Sequence, residues 1–466
     1  LFDKSVLPHD LILVALSDSH GMRHEYPYVD KEDWMWERLR LYEELMARPA
    51  VTGDDLIRAG LRPDGNFKEM DANGDGFMDD PRQLQFNLSN RWLYFSPGGM
   101  QLRFGVRGIQ DHRIGGQMSS LQNPWRSDIL NRSIDAYAKV GFPTSESGNS
   151  SIAAIVDYSY QRMSSDFTTR AYNAGQHSAF ANFLYQNQES DSHHFTVGFS
   201  EMLDCYDENI FGTSAGTTLS DLGAFGEYTF RDGERFSAII GLRADWYNRG
   251  GVKASPRLTL KWQPASWLVV RANGGRGLRY STPIVDNFGV LSTGKIIDGS
   301  FLEHPLEDSW TFGGNATWYI GGQSTTYLSV DFFRTLFTEQ MLVDYADNRH
   351  ISFYTLSSIN GGKSFTNNVQ VDFGIEPLPR FTVTLTGRFT DARQTLNSQS
   401  SNIKPMTSKY KGVLNLQYAT NLNRWIFDFT ASVNGPCKMW DFAGGGMTEV
   451  YPLLYAQVTK RFKGFD

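Results

Sequence analysis

Along most of the chain apolar and polar residues alternate with a period of two, the spacing that sends successive side chains to opposite faces of a strand. From Phe236 the even positions read Phe236, Ala238, Ile240, Leu242, Ala244 and Trp246, while the odd ones, Ser237, Ile239, Gly241, Arg243, Asp245 and Tyr247, are more polar. The split recurs in Val383, Leu385 and Phe389 against Thr382, Thr384, Thr386 and Arg388, and in Trp425, Phe427 and Phe429 against Asp428, Thr430 and Ser432. The pattern predicts about eighteen strands, at 11–20, 83–95, 100–113, 132–142, 151–165, 175–188, 193–207, 217–230, 234–248, 254–262, 267–277, 308–320, 325–336, 364–376, 380–393, 408–420, 424–435 and 450–462. One helix is predicted at 30–48, where Met35, Leu39, Tyr42 and Met46 form a stripe that Pro49 ends.

A soluble sandwich also alternates, so length and connections have to separate the two environments. Most of these strands exceed the soluble mode of about 5 to 6 residues and suit the roughly 9 to 11 that a tilted strand needs to cross a bilayer. The links alternate between short turns such as Ser96-Pro97-Gly98-Gly99 and Arg231-Asp232-Gly233 and long stretches at 20–82, 111–131, 278–307, 337–363 and 437–449. Tight turns on one rim and long loops on the other mark an outer-membrane barrel, which closes to leave no unpaired edge. Eleven Trp, 21 Tyr and 32 Phe make the chain 14% aromatic. A barrel places them as interfacial girdles, for which Trp92, Tyr94, Trp246, Tyr247, Trp262, Trp267, Trp318 and Tyr319 are candidates. A net charge of -7 argues against a nucleic-acid partner.

Asp221-Leu-Gly-Ala-Phe-Gly-Glu-Tyr228, Gly241-Leu-Arg-Ala-Asp245, the run from Ser255 to Pro264, and Gly275-Arg-Gly-Leu-Arg279 followed by Pro283, Asp286 and Asn287 carry a family likeness. With them the chain resembles the barrel of TonB-dependent outer-membrane receptors, of the large Bacteroidetes type. Leu306-Glu-Asp-Ser-Trp310, Ser329-Val-Asp-Phe-Phe-Arg334 and Gln457-Val-Thr-Lys460 are similar to later strands of that family. The resemblance implies an all-β, 22-stranded transmembrane antiparallel barrel with an N-terminal plug. It also implies import of a scarce nutrient, such as an iron chelate, haem or cobalamin, with energy relayed by TonB, ExbB and ExbD. On this reading residues 1–466 are barrel, 20–82 are a long exterior loop holding the helix, and plug and terminal strands lie outside the chain.

The exterior loops are the expected place of ligand contact, with Tyr280, Phe288, Phe301, Tyr345 and Tyr354 chosen by loop position alone. Asp71, Asn73, Asp75, Phe77 and Asp79 follow the start of a calcium loop, with oxygen donors at alternate positions around Gly76. Arg82 stands where a bidentate Glu is expected, so an Asx-rich turn competes with a calcium site. The helix could pack its own loop or dock a surface lipoprotein. Cys205 and Cys437 fall about ten strands apart, too far for a disulfide at about 4.8 Å per strand. Gly212-Thr-Ser214-Ala-Gly216 spells a nucleophile elbow, but a strand follows where a helix is required, and no enzyme is expected. A passive porin and a soluble β-rich adhesin or lectin stay open as alternatives.

Overall fold

The computed structural model describes residues 69–462 apart from 72–73, 146, 169, 298–302, 322–324, 346, 348, 397–402 and 440–445. The expected strand at 11–20 and helix at 30–48 lie outside the described residues. The other seventeen expected strands are all present, as β1 (Arg82–Phe95), β2 (Gln101–Gly116), β3 (Arg126–Pro143), β4 (Ser150–Asp166), β5 (Ala171–Gln188), β6 (His193–Ile210), β7 (Thr213–Asp232), β8 (Phe236–Tyr247), β9 (Gly251–Ala265), β10 (Leu268–Tyr280), β12 (Leu306–Tyr319), β13 (Tyr327–Glu339), β16 (Ser364–Leu378), β17 (Phe381–Gln394), β18 (Tyr410–Ala419), β19 (Trp425–Asn434) and β20 (Tyr451–Lys460). They pair antiparallel with their neighbours in chain order, with β1 and β20 at the two ends. Three short strands were not expected: β11 (Ile296–Ile297), β14 (Met341–Asp344) and β15 (His350–Thr355).

The two faces of the long sheet differ in kind. On one, apolar side chains stand in the open: Leu242 is 56% exposed, Phe389 61% and Phe427 43%. Aromatic rings stack across strands on that face, Trp92 on Phe104 at 4.7 Å and Phe183 on Phe199 at 5.0 Å. Such a row is unstable in water and is what a lipid-facing wall requires. Phe236, Leu242, Val383 and Phe427 therefore do not share a dry interior. The opposite face carries cross-strand polar pairs: Arg107 with Asp135 at 3.1 Å, Thr386 with Asp372 at 2.6 Å, and Gln417 with Asp428 at 2.7 Å. No described helix is long and apolar enough to cross a membrane, which leaves crossing by strands untouched.

Strand alternation also corrects the girdle. Adjacent residues cannot both face lipid, and while Trp246 is exposed on the apolar face, Tyr247 turns to the polar face and is 5% exposed. Short turns close one rim as expected. Gly99 adopts φ +82° in the β1–β2 turn, a left-handed conformation that costs glycine nothing. Within the polar face Tyr137 lies over Gly105, its opposite partner in β2, so that a Cβ there would meet the ring at 2.7 Å. Cys205 and Cys437 are both free thiols.

Candidate functional site

On the long-loop rim the stretches after β10 and β13 fold into one body. Strand β15 pairs antiparallel with β14 and parallel with β11, so a three-stranded sheet knits the two loops together. A short helix, α1 (Pro283–Asp286), starts the first loop, with proline at its opening where a missing N–H does no harm. The loop body has a dry core of Ile284, Val290, Leu291, Val343, Tyr345, Ile351 and Phe353, which continues onto Phe167, Tyr172 and Ile210 at the ends of β4, β5 and β6. The Lys295 ammonium donates to the carbonyls of Tyr345 and Asp347, both at 2.7 Å. The Asp347 carboxylate accepts the amides of Arg349 and His350, which lower its pKa below the usual range.

Two polar contacts fasten this body to the wall. Arg170, between β4 and β5, donates to the carbonyls of Gly294 and Lys295. His304 is buried with Nδ1 2.9 Å from the Ser281 carbonyl and Nε2 3.0 Å from the Glu208 carboxylate, and it stacks on Tyr206 at 5.0 Å. The other Glu208 oxygen accepts from the Tyr172 hydroxyl at 2.7 Å. Both His304 nitrogens, both Glu208 oxygens and the Tyr172 hydroxyl have partners, which fixes the loop's position, while the buried Ser281 hydroxyl has none among the described residues.

Between α1, Phe288 and the polar face of β2–β6 lies a cavity of about 440 Å³. Asp111, Arg113, Tyr172, Tyr206, Glu208 and Phe288 give it charge of both signs and aromatic faces, the mixed lining of a small-molecule site. A smaller cavity of about 250 Å³ borders Arg279, Asp286, Glu307 and Lys404. Arg279 bridges Glu307 and Asp286, both at 2.9 Å, and Asp286 also accepts the Thr282 amide, so this part of the signature quoted above builds the loop's root.

Of the five aromatics chosen by loop position, Phe288 lines the larger cavity, packed against Phe167 at 5.6 Å and Tyr172 at 6.3 Å. Tyr345 is buried in the loop body, and the Tyr354 hydroxyl donates to Asp344 at 2.8 Å. The Tyr280 hydroxyl joins the β8–β9 turn through the Arg249 amide and the Asn248 side chain. Phe301 lies outside the described residues. Sequence reasoning missed Glu208, Tyr172 and His304. The parity of Tyr206, Glu208 and Ile210 extends the polar face of β6 past Asp207 and would have marked Glu208; nothing in the sequence marks a lone histidine in a loop.

In the calcium-type segment, Asp71 accepts the amides of Gly74, Asp75 and Gly76, and Asp75 accepts the amide of Phe77. Only the last of these is an Asx-turn bond, those to Asp71 coming from amides three to five residues on, and Asn73 lies outside the described residues. Among the described residues no three His, Cys, Asp or Glu side chains converge as metal ligands. The turn is docked on the β2–β3 loop through Phe77 opposite Gln117 and through Glu69, which accepts the amide and hydroxyl of Ser119 and pairs with Arg126.

Residues 49–453 match the family described as TonB dependent receptor-like, beta-barrel. The chain belongs to this family. It is an outer-membrane barrel protein, and its apolar face is the outer wall. No curated protein matches it. Among solved structures it resembles a ferric enterobactin receptor (PfeA) mutant from Pseudomonas aeruginosa, at TM-score 0.63 and 12% identity over 85% of this chain and 64% of that one. The ferric citrate transporter FecA aligns at TM-score 0.60 and 12% identity over 82% and 63%. The copper transporter OprC aligns at TM-score 0.62 and 11% identity over 83% and 66%. The chain thus spans just under two thirds of the length of these relatives, and at these identities the likeness speaks for the fold.

Proposed function

We propose that this TonB-dependent barrel imports a scarce nutrient in compact, chelated form, using energy supplied through TonB, ExbB and ExbD, and that it is not an enzyme. The observation that carries this reading is the cavity between the loop body and the polar face of β2–β6, with Asp111, Arg113, Tyr206 and Phe288 on its lining. A site of that mixed character suits a polar complex such as an iron chelate, haem or cobalamin, and the solved neighbours named for enterobactin, citrate and copper support the class. A surface lipoprotein docking on the helix that the sequence predicts at 30–48 is part of the same proposal. The 71–79 turn is a calcium candidate through Asp71, Asn73, Asp75, Asp79 and the Phe77 carbonyl, and calorimetric titration with calcium tests it.

The deciding experiment is growth of a deletion strain on single sources of iron chelate, haem, cobalamin and copper, complemented by wild type or by Arg113→Ala. One nutrient should be lost on deletion and restored only by wild type. Uptake that persists without TonB would replace active import with passive diffusion, and extraction into buffer without detergent would favour a soluble adhesin.

A further inference from the structure

The fastening between loop body and wall depends on a proton that both sides share. The His304 side chain is fully buried, and each of its ring nitrogens faces an oxygen. Nδ1 lies 2.9 Å from the Ser281 carbonyl, which can only accept, so Nδ1 carries a hydrogen and donates. Nε2 lies 3.0 Å from one oxygen of Glu208, whose other oxygen already accepts the Tyr172 hydroxyl. One hydrogen has to stand between Nε2 and that carboxyl group, whether the pair is imidazolium with carboxylate or imidazole with carboxylic acid. Without it, two lone pairs meet in a dry place. Buried polar groups left in that state are costly.

Around the ring stand Tyr206 on β6, stacked at 5.0 Å, and Tyr172 on β5, with Asp204 and Asp286 next, close enough for their charges to act on Tyr206. Gln176 donates to Asp204 at 3.0 Å and Arg279 to Asp286 at 2.9 Å, and Glu303, the chain neighbour, is exposed. Phenols ordinarily titrate at about pH 10 and carboxyls at about 4, which leaves histidine as the residue type of this set that changes charge between about pH 5 and 9.

We propose that the shared proton is a pH latch on the loop body, closed in acid and released as the proton leaves. Above the ordinary histidine value of about 6.5 the latched state holds one proton more than the released state, so by linkage a rise in pH favours release. Below it both states hold the proton, and the latch stays shut. Tyr172, Tyr206 and Glu208 belong both to the latch and to the larger cavity, which Thr282 and Phe288 border from the loop side. Release therefore loosens the cavity's roof. On the reading of that cavity as the import site, on which this consequence rests, the nutrient is gripped in acid surroundings and freed in alkaline ones.

The test is hydrogen exchange of the full-length, ligand-free receptor in lipid nanodiscs from about pH 5.5 to 9, corrected for the intrinsic pH dependence of exchange. Protection at 283–297 and 341–355 should fall about tenfold or more as pH rises, the loss expected when one buried polar group has no partner, while β8 and β9 stay unchanged. Glu208→Gln discriminates a latch from a merely structural contact. Its amide can donate to a neutral Nε2 while its oxygen still accepts from Tyr172, so the loop body should stay protected at both ends of the range. His304→Gln should be poorly protected at both. Heat-modifiable migration reports folding of each variant, and the nearly isosteric Glu208→Gln carries the test if His304→Gln does not fold. Flat protection in wild type, a fall in Glu208→Gln that matches wild type, or full protection in His304→Gln would overturn the latch. Because no ligand is present, these outcomes are independent of the growth assay that tests import.

Discussion

The wall and the loop body obey opposite rules. In the loop body Ile351 and Val290 are fully hidden and Tyr345 almost so, as in any domain surrounded by water. On the wall Leu242, Phe389 and Ile134 stand more than half exposed, and the polar groups are gathered on the other face. One chain thus contains two solvents' worth of patterning. The change from one to the other, within a few residues of Ile134 and Tyr160, marks where lipid ends.

The contrast can be broken most strongly in the loop body. Ile351→Ala removes a fully buried side chain and should cost about 2 to 5 kcal/mol of local stability. Hydrogen exchange should quicken at 341–355 while the wall stays protected. On the wall the matching truncation Leu242→Ala should do little, because lipid fills the space, whereas Leu242→Arg should cost about 2 to 4 kcal/mol in refolding from urea into vesicles. Thr259→Arg, on the polar face of the neighbouring strand, should stay within about 0.5 kcal/mol. If both arginine variants lost stability equally, the assignment of faces would be wrong.

A smaller effect is expected at Gly105, where valine would push Tyr137 off the sheet at a cost of about 1 to 3 kcal/mol by the same refolding measurement. The smallest is a pH effect at the rim. The Ser119 hydroxyl and amide, with Arg126, hold the Glu69 carboxyl at about 2 against an ordinary 4.5. A depressed carboxylate contributes stability that is complete above its ordinary pKa and is lost as pH falls toward 2. Proteolysis at the 69–79 turn should therefore accelerate between pH 4.5 and 2, and Glu69→Gln should flatten that dependence.

What the sequence disclosed follows the same division. Long strands were legible because two different surroundings force every second residue of Phe236–Tyr247 or Trp425–Asn434 to one side, and that constraint repeats over ten or more positions. The pairings within the loop body were not, since β11 has two residues and β14 four, too few for any period to declare itself. Loop position alone marks Tyr345 and Tyr354 as it marks Phe288, yet both take part in the loop body's own packing and bonding; only the tertiary contacts distinguish them. Glu208 and His304 are 96 residues apart and meet solely through topology.

That span has a consequence for biogenesis. Arg170 meets Lys295 across 125 positions and His304 meets Glu208 across 96, so neither clasp can form until wall sectors from both stretches of chain have been inserted. The rim is therefore assembled late, and a nascent barrel stalled between β6 and β12 would display the greasy residues of its unfinished crown to the cell's quality-control proteases.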